Sequence, residues 1–173
     1  MQGVDWRWFS RAFDATNWGG TGWHPVAIAL LCFVACLALS GPRALMIAPA
    51  ALASLFTAVL KAQIDRPRPP ADLLHVQGHV GGFSYPSGHA TFYAWLSVTV
   101  VLVLGPRLGR WRTLAWAGAA IVVTVGCLGR VWAGAHWPSD VIGGACLGAT
   151  WAIVVLVAWQ LAGRRRSRGS GSS

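Results

Sequence analysis

"FSYPSGHATFYAWLSVTV", residues 83–100, decides how this chain folds. From Ala90 it is an apolar run that continues to Gly105, while its mouth carries Ser87, Gly88 and His89. Four further runs of this kind lie around it, at residues 26–40, 44–60, 113–128 and 141–162. A bilayer crossing takes about 20 residues, with roughly 17 as the floor. The run 141–162 meets this easily, and 26–40 does so only by borrowing from Trp23 or Gly41. Of the 173 residues, 55% are hydrophobic and 11% charged, far from the balance of a soluble domain. A soluble helical protein with a buried core is the competing reading, and runs this long and uncharged argue against it. The expected fold is therefore all-α: a polytopic membrane helical bundle of about five transmembrane helices plus an N-terminal interfacial helix. Residues 1–163 would form one integral-membrane domain, and 164–173 a basic, flexible cytoplasmic tail.

The net charge of +9 comes from thirteen Arg and one Lys against five Asp. Most Arg lie in short connections and in the tail "GRRRSRGSGSS", as membrane-flanking cations do, so no nucleic-acid partner is expected. With five alternating spans, Arg43, Arg107, Arg110, Arg112, Arg164, Arg165, Arg166 and Arg168 share one face. The positive-inside rule puts that face and the C-terminus in the cytoplasm, in an inner (plasma) membrane, with the N-terminus outside. Cys32, Cys36, Cys127 and Cys146 all sit in apolar runs and read as small packing residues.

The segment "DWRWFSRAFDATNWGGTGW", residues 5–23, is too polar to span. Trp6, Phe9 and Phe13 fall at near-helical spacing, which suits an interfacial helix. Gly144 and Gly148 make a small-xxx-small pair suited to close helix packing.

The outer face receives "KAQIDRPRPP", "YPSGH" and "GRVWAGAHWPSD", from elements distant in sequence. Lys61, Arg68 and Arg130 offer fixed positive charge and several donors for phosphate oxygens. Ser87 and Gly88 precede a helix start, where free N–H groups favour an anion. His136 and Asp140 stand four apart, so the Asp can accept from one ring nitrogen and leave the other as a nucleophile. His89 is then available as general acid. Taken singly, Lys61 and Arg130 could be snorkelling caps, and His136 with Asp140 a helix cap; their joint occurrence in three spaced motifs argues for one site. His75 and His79, with Asp72 nearby, form the other metal-like grouping and lack further ligands at good spacing. No metal and no cofactor is expected.

The order Lys61…Arg68-Pro69, Pro86-Ser87-Gly88-His89 and Arg130…His136…Asp140 resembles the membrane-bound type 2 phosphatidic acid phosphatase family. That family shares its site with vanadium-dependent haloperoxidases and bacterial acid phosphatases. The resemblance, over residues 61–140, implies a metal-independent phosphatase acting on a lipid phosphate at the membrane, with its site facing the periplasm or exterior. It also implies phosphate binding by Lys61, Arg68, Arg130, Ser87 and Gly88, a phosphohistidine at His136, a general acid at His89, and Asp140 orienting His136. The small size resembles carrier-lipid diphosphatases, which points to a polyprenyl diphosphate ahead of phosphatidic acid, phosphatidylglycerophosphate or a glycolipid phosphate. The oligomeric state is left open.

Two departures stand out. Gly129 occupies the place where the family usually has Ser, and "RPRP" makes Arg66 a rival to Arg68. The six-residue gap from Lys61 favours Arg68, leaving Arg66 at the surface to meet lipid headgroups. A non-catalytic lipid-handling membrane protein that keeps the site's outline is the reading from another class, and a hydrolysis assay separates the two.

Overall fold

The computed structural model describes residues 8–70 and 81–169. All regular structure among them is helical: α1 (Ser10–Gly19), α2 (His24–Ser40), a 3-10 turn (Gly41–Met46), α3 (Ile47–Ala50), α4 (Leu52–Ile64), α5 (Gly88–Leu108), a second 3-10 turn (Gly109–Trp111), α6 (Arg112–Trp132) and α7 (Pro138–Gly169). Three stretches, His24–Ile64, Gly88–Trp132 and Pro138–Arg165, are long and apolar enough to cross a membrane, with mean hydropathies of 2.2, 1.7 and 2.2. Their outward faces carry Leu31, Val34, Leu55, Ile121 and Ile153, each more than half exposed. Apolar surface this extensive is stable in lipid and a liability in water.

The first two stretches each hold two of the expected runs, joined at Gly41 (φ 58°) and Gly109 (φ 47°), conformations that favour glycine. The run 44–60 is not one helix. It opens in a 3-10 turn and breaks at Ala51, two residues after Pro49, which has no N–H and crowds the preceding turn. At the other end, α7 continues beyond residue 162 to Gly169, so the expected tail begins as helix.

The centre of the bundle is α5, buried from Ala90 to Leu96 and again at Thr99, Val101 and Val103. It packs against α7 backbone to backbone. A Cβ on Gly144 would lie 2.5 Å from the Ser87 carbonyl oxygen, and one on Gly148 would lie 2.4 Å from that of Thr91. This close approach also brings the first turn of α7 to the first turn of α5. Gly148→Ala should force the two helices apart and cost about 1–3 kcal/mol. The expected reading is a lower melting temperature in detergent together with reduced activity; unchanged values for both would refute the packing argument.

The N-terminal helix does more than lie at an interface. Phe13 is buried, its ring 5.4 Å from that of Trp132. A Cβ on Gly129 would meet Thr16 Oγ1 at 3.2 Å and Phe13 Cα at 3.4 Å, so the bare glycine lets α1 settle on the C-terminal end of α6. Phe9 stays half exposed, and Trp6 lies outside the described residues.

Candidate active site

Lys61 sits in the last turn of α4, which ends at Asp65 in a left-handed conformation (φ 55°). The chain then crosses toward α7. The Arg66 carbonyl accepts from the Ser84 amide at 2.8 Å, and the Pro67 carbonyl accepts from Trp137 Nε1 at 3.1 Å. The Ser87 amide donates to the Asp140 carbonyl at 3.0 Å. These bonds gather the end of α4, the start of α5, the turn after α6 and the start of α7 at one end of the bundle. Lys61, Arg68, Ser87, Gly88, His89, Arg130, His136 and Asp140 all stand there. His75, His79 and Asp72 lie outside the described residues.

Asp140, fully buried, is the hub. Its Oδ1 accepts from Arg66 Nη1 at 2.8 Å, and its Oδ2 accepts from Ser84 Oγ and from the Trp137 amide at 2.9 Å. His136 Nδ1 lies 3.5 Å from Oδ2 but makes no hydrogen bond. The expected His136–Asp140 hydrogen bond is therefore absent, because the carboxylate is already committed to three other donors. Arg66 also departs from the surface role expected of it: it binds Asp140 and Ser139, and its guanidinium lies 5.8 Å from the Trp137 ring. A buried carboxylate facing an imidazole needs such a counter-charge.

His136 is buried, and its Nε2 lies 3.3 Å from Arg68 Nη1. Burial first, then the charges of Arg130, Arg68 and Lys61, push its pKa down to about 2. The ring is thus neutral at physiological pH, with a lone pair at the nitrogen that faces a guanidinium. Arg68 is held by carbonyls of Gly82 at 2.9 Å and Ala135 at 2.7 Å; burial lowers its pKa and Asp140 opposes the shift. Lys61 Nζ donates to the Phe83 carbonyl at 2.8 Å.

At the start of α5 the expected cradle is modified. The Ser87 amide is taken by Asp140, while its buried hydroxyl has no partner among the described residues. The N–H groups of the first turn, from Gly88 on, remain without intrahelical acceptors. His89 Nε2 lies 3.2 Å from the Asn17 carbonyl and 3.3 Å from Thr21 Oγ1. A carbonyl can only accept, so Nε2 carries a hydrogen in this arrangement. Arg130 is buried at 9% exposure, and its Nη1 donates to Asn17 Oδ1 at 3.0 Å.

Ser84 and Asn17 were missed by the sequence reading, and Arg66 was weighed there only as a rival to Arg68. Arg66 had a signal in the doubled Arg-Pro; the other two are common polar residues in connections or at a helix end and carried none. Among the described residues no three His, Cys, Asp or Glu side chains gather as metal ligands would. What the site offers is a neutral imidazole nitrogen among three cations, suited to an oxyanion.

The family model of the PAP2 superfamily matches residues 42–164. Phosphatidylglycerophosphatase B of Escherichia coli K12 is 37% identical over 79 residues, 45% of this chain and 29% of that protein. The Bacillus subtilis protein of the same name is 34% identical over 99 residues, 54% of this chain and 46% of that one. An undecaprenyl-diphosphatase of Sulfolobus acidocaldarius is 39% identical over 67 residues, 39% of this chain and 29% of that protein. The chain thus spans less than half the length of these curated relatives. Its fold is similar to the crystal structure of a transmembrane PAP2-type phosphatidylglycerolphosphate phosphatase from Bacillus subtilis, with a TM-score of 0.76 and 22% identity over 88% of this chain and 77% of that one. The family match takes in every element of the bundle that brings a motif residue to the site, from Lys61 to Asp140, and on it the chain belongs to the PAP2 superfamily.

Proposed function

We propose that this protein is an integral-membrane lipid phosphatase that cleaves a phosphate ester or diphosphate of a lipid, without a metal, through a phosphohistidine on His136. The observation that carries the reading is the buried, neutral His136 among Lys61, Arg68 and Arg130 at the end of an apolar bundle. The Nε2 lone pair forms the N–P bond as the bond from phosphorus to the leaving oxygen breaks, and His89 gives that oxygen a proton. Water then attacks the phosphohistidine and passes its proton to His89. Lys61, Arg68, Arg130, the Ser87 hydroxyl and the first-turn amides from Gly88 hold the phosphoryl oxygens. Asp140, 3.5 Å from Nδ1, offsets the charge the ring gains on phosphorylation.

The chain crosses the inner membrane five times, with the site on the periplasmic or exterior side and the C-terminus in the cytoplasm. The fold supports this reading by folding the first two apolar stretches back at Gly41 and Gly109. The name of the Sulfolobus relative supports a polyprenyl diphosphate as substrate, and the names of two other relatives support phosphatidylglycerophosphate as the second reading. Phosphate release from a panel of purified lipid phosphates separates them.

The fixed cations do here the work that a metal does elsewhere. Chelator should leave phosphate release intact, while vanadate, which mimics the five-coordinate transition state, should inhibit it. Activity lost in chelator and restored by zinc or magnesium would sink the assignment.

A further inference from the structure

The site has one wall outside the family match, α1, and Asn17 is where that wall meets the cations. Arg130 Nη1 donates to Asn17 Oδ1 at 3.0 Å, while its Nε is buried with no partner among the described residues. A buried guanidinium N–H left unpaired is costly, so this edge is built for an acceptor that arrives with the ligand. A guanidinium grips one acceptor with one edge and still presents donors on another. We propose that Asn17 is a positioning residue of the phosphate site: its carboxamide fixes Arg130 so that the Nε edge meets an incoming phosphate oxyanion. This rests on the reading of Arg130 as a phosphate ligand.

Asn17 is itself held on several sides. Its carbonyl, one of the last of α1 and so without an intrahelical donor, accepts from Thr21 Oγ1 at 2.5 Å and faces His89 Nε2 at 3.2 Å. The neighbouring Thr16 carbonyl accepts from Tyr93 OH at 2.6 Å. Gly129, directly before Arg130, leaves the room that α1 fills. Where the family pattern usually puts a Ser hydroxyl, this chain has bare backbone, and a polar group arrives from α1 instead.

The test is vanadate affinity, measured by calorimetric titration of the full chain in detergent, for wild type, Asn17→Ala, Arg130→Lys and the double variant. Asn17→Ala should weaken vanadate about tenfold, the scale of one hydrogen bond to a charged group. In the Arg130→Lys background the same change should cost less than about twofold, because Asn17 acts through the guanidinium. Asn17→Leu, similar in volume and without an acceptor, replaces the Ala variant if that loosens α1. Wild-type affinity in the Asn17 variants would overturn the proposal. So would an equal loss in both backgrounds, the mark of a residue that merely docks α1. Undiminished vanadate binding by Arg130→Lys itself would instead overturn Arg130 as a phosphate ligand, and with it the ground on which Asn17 was placed.

Discussion

His136→Ala should abolish turnover on every substrate, a loss on the order of 10⁴–10⁶-fold, the scale seen when a covalent nucleophile is removed. The size follows from what the ring alone supplies. Its burial and its three cationic neighbours keep it unprotonated near neutral pH, so its lone pair is free without any base to release it. Arg68, 3.3 Å from Nε2, stands where it can draw a phosphoryl oxygen to that nitrogen. The cations that remain in the variant still bind phosphate but have nothing to transfer it to. Rapid quenching of the wild type during turnover should therefore trap an acid-labile, base-stable phosphoenzyme, as expected for a phosphorus–nitrogen bond. The variant should trap none, yet it should keep its melting temperature and bind inorganic phosphate. A fully active His136→Ala protein would remove the nucleophile's role from this residue.

How much of this could be read beforehand depends on how local each feature is. His136 and Asp140 are one helical turn apart, and Ser87, Gly88 and His89 are consecutive, so their type and spacing were visible in the chain. The apolar runs were visible because lipid demands continuous apolar length. Asn17 meets residues 72 and 113 positions away, and no pattern in a ten-residue helix whose one buried large apolar residue is Phe13 announces such a contact. Gly129 was legible as an oddity, but its reason, the approach of α1, needs the packed structure. The same holds for Asp140. Spacing alone suggested a simple partner for His136, whereas the carboxylate turned out to answer to Arg66, Ser84 and the Trp137 amide. Pro49 was in plain view, yet an apolar run long enough to span hid the break it imposes.

His89→Ala should lose far more rate on a lipid phosphate than on an aryl phosphate. A phosphatidate or prenyl monophosphate expels an alkoxide, a poor leaving group, so proton donation in the transition state should be worth about 10²–10⁴-fold. p-Nitrophenyl phosphate expels a stable phenolate that hardly needs the proton. The geometry fits a ring kept for proton transfer. Its Nε2–H is steadied by the Asn17 carbonyl and Thr21 Oγ1, at the C-terminal end of α1. With Nε2 so held, the acid form needs a second proton at Nδ1, taken up as the substrate's negative charge arrives beside the ring, and this proton goes to the leaving oxygen. Single-turnover measurement of phosphoenzyme formation isolates this step from the later hydrolysis, in which the same ring takes a proton from water. A His89 that only bound phosphate would cost both substrates alike, since both carry the same phosphoryl group. Equal losses on the lipid and the aryl ester would therefore take the acid's role from His89, while His136 and its cations would stand on the phosphoenzyme they form.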